Sequence, residues 1–115
     1  MNKNILLAAL LSATSFAATA GGNIEAGKAA TAKHTCFSCH GADFKTPVDP
    51  SYPILAGQKQ DYLVHALKSY QRGGDAPNGR GNAIMGGQAK VLSSDEIENV
   101  AAYLHSLPGP LVLKK

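Results

Sequence analysis

The chain has 115 residues, a formal net charge of +3 and a composition that is 44% hydrophobic and 17% charged. These values predict a single globular domain, because cores usually extend over about 100 to 150 residues before a second domain begins. They exclude a disordered tail and a membrane protein with several spans. Only 6% of the residues are aromatic and none is Trp, so we expect another group to help fill a thin core.

The first twenty residues have the features of an export signal. Lys3 provides the positive start, residues 5–11 form the apolar stretch, and small residues up to Ala20 form a cleavage site. We predict a cleaved signal peptide over residues 1–20, a mature domain over residues 21–115 and a periplasmic location. An uncleaved membrane anchor is the alternative, but Ser and Thr soon dilute the apolar run, which a span would need to extend over about 20 residues.

The charge of the mature chain is low and dispersed. Loss of the signal peptide removes Lys3 and leaves 95 residues with a formal charge of +2. Nucleic-acid binding requires a clustered basic surface, whereas the Lys residues here are spread along the chain. We therefore expect neither nucleic-acid binding nor stable membrane insertion.

The mature chain begins with a predicted helix and then a loop. Asn23 is a favourable capping residue, and the helix is expected over residues 24–31 with Glu25 in its first turn. Three prolines within residues 44–53 exclude regular structure there, so this stretch is predicted to be an ordered loop.

Two further helices are predicted in the second half of the chain. Apolar residues recur at helical spacing over residues 62–70, and Gly73-Gly74 ends that helix. The last helix opens with a capping box at residues 93–96 and stops at Pro108. Since no segment alternates as a strand does, the prediction is an all-α fold.

The sequence Cys36-Phe37-Ser38-Cys39-His40 has the C-x-x-C-H spacing that attaches a c-type haem. Positions i, i+3 and i+4 of a helix share one face, so both thiols and the imidazole can reach one porphyrin. The thiols of Cys36 and Cys39 would add to the two vinyl groups. His40 would then be the proximal ligand of the iron.

Three other interpretations of the two cysteines are weaker. A disulfide between Cys36 and Cys39 would leave His40 without a role and close too short a loop to stabilise much. A thioredoxin-like redox pair would lie beside a strand and a helix, and no strand is predicted. A zinc site needs four ligands, and there is no second C-x-x-C.

The candidate for the sixth ligand of the iron is Met85. The other methionine starts the chain and is lost with the signal, and Met85 lies in what we predict to be a glycine-rich loop over residues 82–87. Its alternative role is to fill a gap in the core. The competing ligands are His34, predicted to be solvated, His65 on the central helix, and His105 near the end of the last helix.

Taken together, these features resemble the class I c-type cytochromes, particularly the small bacterial periplasmic electron carriers. The resemblance extends from Ile24 to Leu107. It rests on C-x-x-C-H and on five further segments, namely Glu25-Ala26-Gly27-Lys28, Pro53-Ile54-Leu55-Ala56-Gly57-Gln58, Tyr62-Leu63, Arg80 with Asn82 ahead of Met85, and Ala101-Ala102-Tyr103-Leu104.

The resemblance implies a class I cytochrome c fold, with about three main helices and loops wrapped around one covalently bound haem c and its iron. It implies that the Pro53 carbonyl accepts the Nδ1 proton of the proximal imidazole and that Leu55 packs on the haem. It also implies that Gly27 allows the first helix to approach Tyr103 of the last helix closely.

The expected function is the transfer of single electrons between redox partners in the periplasm, without catalysis. With His40 and Met85 both bound, the iron would have no open position, and the soft sulfur would raise its potential. We expect a monomer that docks transiently with redox partner proteins. The alternatives are a peroxidase-like haem enzyme or gas sensor from which Met85 is displaced, and a c-type subunit of a larger oxidoreductase complex.

Overall fold

The computed structural model describes residues 21–111, and the predicted signal peptide at residues 1–20 lies outside them. The described residues form an all-α fold without strands, as predicted. None of their helices is long and apolar enough to cross a membrane. The helices are α1 (Ile24–Lys33), α2 (Phe37–His40), α3 (Gln60–Arg72), α4 (Ala83–Lys90) and α5 (Ser94–Ser106).

The predicted capping and stop residues are confirmed, although α1 and α3 extend beyond the predicted ranges to Lys33 and Arg72. The Asn23 side chain accepts a hydrogen bond from the backbone N–H of Ala26 and so caps α1. Ser93 and Glu96 form the capping box of α5, each side chain accepting from the backbone N–H of the other at 3.1 Å. At the end of α3, Gly73 has a φ of +81°, a conformation that glycine adopts without steric cost.

Helices α1 and α5 pack closely at Gly27. A Cβ atom at this position would lie 2.7 Å from the Cβ of Tyr103 and still closer to the backbone carbonyl of Asn99. The side chain of Asn99 also accepts a hydrogen bond from the backbone N–H of Asn23 at 2.7 Å. The predicted close approach of Gly27 and Tyr103 is therefore confirmed, and it joins the two ends of the domain.

The proline-containing stretch between α2 and α3 is an ordered loop, as predicted. Phe44 is 3% exposed, and its carbonyl oxygen accepts hydrogen bonds from the backbone N–H groups of Leu55 and Ala56. The backbone N–H of Val48 donates to the carbonyl oxygen of Cys39 at 3.0 Å. The loop is thus tied both to the core and to the C-x-x-C-H segment.

The prediction of a loop over residues 82–87 is wrong, because most of this segment belongs to α4. The Asn82 side chain accepts a hydrogen bond from the backbone N–H of Met85 at 2.9 Å and starts the helix. Ala89 is completely buried, and α4 packs against α3. This cap and this packing override the low helix propensity of Gly86 and Gly87.

The hydrophobic core is small, as the composition suggested. Ile97 is the one large side chain in residues 21–111 that is completely buried. Four of the core side chains also line a large apolar cavity: Leu63, Leu92, Val100 and Leu104. The core of the protein is therefore continuous with the wall of the cavity.

Candidate haem-binding site

All six residues predicted to bind a cofactor line one cavity between α2, α3, α4 and α5: Cys36, Cys39, His40, Pro53, Leu55 and Met85. These residues come from three separate segments of the sequence, and folding brings them together. Most of the remaining wall is apolar and includes Leu67 and Ala66 of α3. A planar hydrophobic group in this cavity would extend the core, because core side chains form part of the cavity wall.

The single turn of α2 presents the C-x-x-C-H side chains. Cys36 is the N-cap and His40 the last residue of α2, and the backbone N–H of His40 donates to the Cys36 carbonyl oxygen at 3.1 Å. This turn brings both cysteines and the histidine to the same wall of the cavity. His40 is only 6% exposed, so its imidazole is shielded from solvent.

The His40 ring is fixed by one hydrogen bond. Its Nδ1 donates to the carbonyl oxygen of Pro53 at 3.1 Å. The proton is therefore on Nδ1, and Nε2 is the nitrogen that remains available to a metal. A hydrogen bond of this kind orients the imidazole of a metal site and increases its basicity.

The thiols have the properties of attachment points, not of an active redox pair or a zinc site. Cys36 and Cys39 are both free thiols. Burial raises the pKa of the Cys36 thiol, whereas a reactive redox cysteine requires a lowered pKa. Across residues 21–111, no group of three or more His, Cys, Asp or Glu side chains is arranged to hold a metal ion. Two thiols and one buried imidazole beside an apolar cavity fit a covalently attached haem.

Met85 lies in the first turn of α4, half-buried, and lines the same cavity as His40. Two of the competing histidines do not reach this cavity. His65 and His105 instead line a shallow cleft that they share with Lys59. Nδ1 of His105 also donates to the Gln58 carbonyl oxygen at 2.7 Å.

The prediction that His34 is solvated is wrong. Its side chain is only 13% exposed, lines the cavity, and lies 3.1 Å from the Glu96 carboxylate. The reason is tertiary: His34 caps the end of α1 just where α5 begins. Glu96 also pairs with Lys33 at 3.1 Å. The Ser93 backbone N–H, followed by His34 and Lys33, lowers the pKa of Glu96 to about 2.

A cationic group, Arg80, also lies in the cavity wall, where the sequence pattern did not predict one. The Arg80 guanidinium carbon lies 5.5 Å from the ring centre of Tyr62 and 5.6 Å from that of Tyr70, and all three residues line the cavity. Such cation–π contacts hold a permanent positive charge against an apolar wall. The spacing of the two tyrosines predicted the helix that carries them. It did not predict that the chain after this helix folds back and places Arg80 beside them.

Comparison with known proteins agrees with this geometry. The cytochrome c family model matches residues 24–108. Cytochrome c4 of Stutzerimonas stutzeri is 36% identical over 113 residues, which cover 95% of this chain and 52% of that protein. Cytochrome c-554(548) of Halomonas halodenitrificans is 39% identical over 72 residues, covering 63% of this chain and 83% of that protein.

A solved structure shows the same fold. The crystal structure of reduced recombinant cytochrome c4 from Pseudomonas stutzeri matches with a TM-score of 0.67 and 36% identity, over 78% of this chain and 48% of that one. The chain thus spans about half the length of the cytochrome c4 relatives that it matches. Members of the matched family carry covalently attached haem c with its iron. By its sequence, its helical fold and the cavity behind C-x-x-C-H, the chain belongs to the cytochrome c family.

Proposed function

We propose that this chain is a monohaem electron carrier in which His40 and Met85 are the two axial ligands of the iron. The observation that carries the proposal is that these two residues line one apolar cavity together with Cys36 and Cys39. The fixed tautomer of His40 supports it further, because Nε2 is left as the ligating atom. When bound, the haem supplies a one-electron couple of its iron.

The chain's own residues hold and shield the group. Cys36 and Cys39 tether it covalently, so a lost axial ligand is recaptured at a high effective concentration. Leu55 and Pro53 form the wall beside His40, and Met85 supplies a thioether from α4. A soft sulfur ligand favours the reduced state more than a second imidazole would, so we expect a positive potential.

The composition of the cavity wall supports a carrier over an enzyme. Among the described residues that line the cavity there is no Asp or Glu. Of its two histidines, His34 is paired with Glu96 and His40 is the proposed proximal ligand. Acid–base catalysis on a bound substrate needs a titratable group that is free to exchange a proton with it, whereas both histidines already have partners.

The mouth of the cavity has the features of a transient docking surface. Ile54, Tyr62 and Ile84 line the cavity and are 37%, 47% and 57% exposed. An apolar rim of this size suits a short encounter with a redox partner protein, which buries less than about 1,200 Å². We propose that the protein acts as a monomer and exchanges electrons across this rim.

We also propose that the working form is periplasmic and begins at Gly21, after removal of the signal peptide over residues 1–20. Purification from the periplasmic fraction and intact-mass analysis test this. The expected mass is that of residues 21–115 plus one haem. A mass that starts at Met1 would support the membrane-anchor interpretation instead.

The function is tested by voltammetry and by carbon monoxide binding on the purified holoprotein. We expect a reversible one-electron couple at positive potential and no rapid binding of carbon monoxide to the reduced protein at neutral pH. Rapid carbon monoxide binding would show an open iron and would support the enzyme or sensor interpretation. Failure of the haem to exchange electrons reversibly would also overturn the proposal.

A further inference from the structure

The amide of Gln71 holds the end of α4. Gln71 lies on α3, near its end, and its side-chain Nε2 donates to the carbonyl oxygens of Ala89 and Leu92, each at 2.9 Å. Ala89 lies in the last turn of α4, where helix carbonyls lack partners within the helix, and Leu92 lies two residues beyond the end of α4. One NH₂ group thus donates to two backbone carbonyls, one in the last turn of α4 and one just after it.

This clamp acts on the face of α4 that carries the proposed sulfur ligand. Met85 and Ala89 are four residues apart, so they lie one turn from each other on the same side of the helix. Both residues line the cavity, and Ala89 is completely buried. A shift of Ala89 relative to α3 therefore moves Met85 relative to the cavity.

Helix α4 has little rigidity of its own. It has eight residues, and Gly86 and Gly87 lie in its middle. A helix this short depends on tertiary contacts, and glycine weakens it further. Asn82 caps the first end, and the Gln71 amide holds the last. Besides the packing of Ala89, the hydrogen bonds of Gln71 are therefore the side-chain contacts that tie the last turn of α4 to α3.

We propose that Gln71 is a positioning residue for Met85. Its two hydrogen bonds hold α4 in place and thereby determine how strongly the Met85 thioether binds the iron. This inference rests on the proposed ligation by Met85. Gln71 does not line the cavity, so it acts only through the backbone of α4. A residue that merely capped the helix would affect the stability of the fold and leave the strength of the sulfur ligand unchanged.

The test uses the haem-loaded mature protein and the exogenous ligand imidazole. Gln71→Glu keeps the size of the side chain but replaces both amide N–H donors by carboxylate oxygens that face two carbonyl oxygens. Gln71→Met is a second variant of similar length that lacks donors and adds no charge. Gln60→Glu, at the other end of α3, is the matched control for the same chemical change.

Each protein is oxidised and titrated with imidazole while the near-infrared absorption band of the sulfur–iron bond is followed. We expect both Gln71 variants to keep their haem and to bind imidazole at least about tenfold more tightly than wild type, a difference of about 1.4 kcal/mol. Their reduction potentials should also fall, while Gln60→Glu should match wild type.

The possible failures are distinguishable. If wild type shows the band and the folded Gln71 variants bind imidazole as weakly as wild type, the positioning role is overturned, whatever their thermal stability. If wild type lacks the band, ligation by Met85 is itself wrong and this inference fails with it. If Gln71→Glu does not fold, the imidazole titration of Gln71→Met tests the positioning role instead.

Discussion

The Nδ1 atom of His40 donates its proton to the carbonyl oxygen of Pro53 across 3.1 Å. The contact spans 13 residues and joins the single turn of α2 to the loop that precedes α3. It connects the C-x-x-C-H segment to the wall of the cavity and leaves Nε2 as the nitrogen that is available to a metal. The proposed proximal half of the site thus depends on a loop as much as on the motif.

The first prediction concerns covalent attachment. The mature protein should keep its haem through denaturing electrophoresis, because two thioether bonds resist denaturants. Cys36→Ala combined with Cys39→Ala should remove the pigment from the denatured band. Haem staining of the gel measures whether haem stays with the denatured protein. Ser38→Ala, a change between the two cysteines, is the control. A wild-type band without haem would be incompatible with covalent attachment.

The second prediction concerns the dependence of folding on the haem. The core is small, and Leu63, Leu92, Val100 and Leu104 lie against the cavity. A haem in the cavity would add a large apolar face to this small core, so the haem-free double cysteine variant should be largely unfolded. Circular dichroism during heating measures this. Cooperative unfolding with near-native helicity in the haem-free protein would disprove it.

The third prediction concerns the crossing of α1 and α5. Gly27→Ala should lower the free energy of unfolding by at least about 2 kcal/mol, because the new methyl group would overlap the Asn99 carbonyl and the Tyr103 side chain. Gly87→Ala is the control, since a Cβ there would meet no atom within 4 Å outside its chain neighbours and the backbone of its own helix. It should be neutral or stabilise α4 by up to about 1 kcal/mol. Denaturant titrations of the holoproteins provide both values.

The fourth prediction concerns pH. The pKa of Glu96 is lowered from 4.5 to about 2 in the folded protein by the Ser93 N–H, His34 and Lys33. Its contribution to stability is therefore fully present above about pH 4.5 and is lost as the pH falls towards about 2. Glu96→Gln should flatten the decline of stability over this acid range, as measured by denaturant unfolding at successive pH values. An unchanged acid profile in this variant, or an equal effect of the control Glu25→Gln, would show that Glu96 is not responsible.

Much of the fold could be predicted from local signals. The caps at Asn23 and Ser93 and the stop at Gly73 act within a few residues, and sequence patterns therefore locate α1, α3 and α5. The C-x-x-C-H motif is equally local. Its five residues form a single turn whose geometry follows from helical spacing.

The errors arose where tertiary contacts decide the structure. The segment around Met85 contains two glycines and reads as a loop, but burial of Ala89 and the Gln71 amide stabilise it as a helix. The local sequence predicts that His34 is exposed on its helix, but His34 pairs with Glu96, which lies 62 residues later in the chain. The position of Arg80 between two tyrosines depends on the same kind of long-range packing.

The central claim is that Met85 closes the iron site, and the near-infrared spectrum of the oxidised protein tests it most directly. Wild type should show the weak sulfur-to-iron charge-transfer band, and Met85→Ala should lack it. The variant should also have a lower potential and bind carbon monoxide when reduced. A wild-type protein without the band, or a Met85→Ala variant that retains it, would contradict the account and identify a different sixth ligand or an open site.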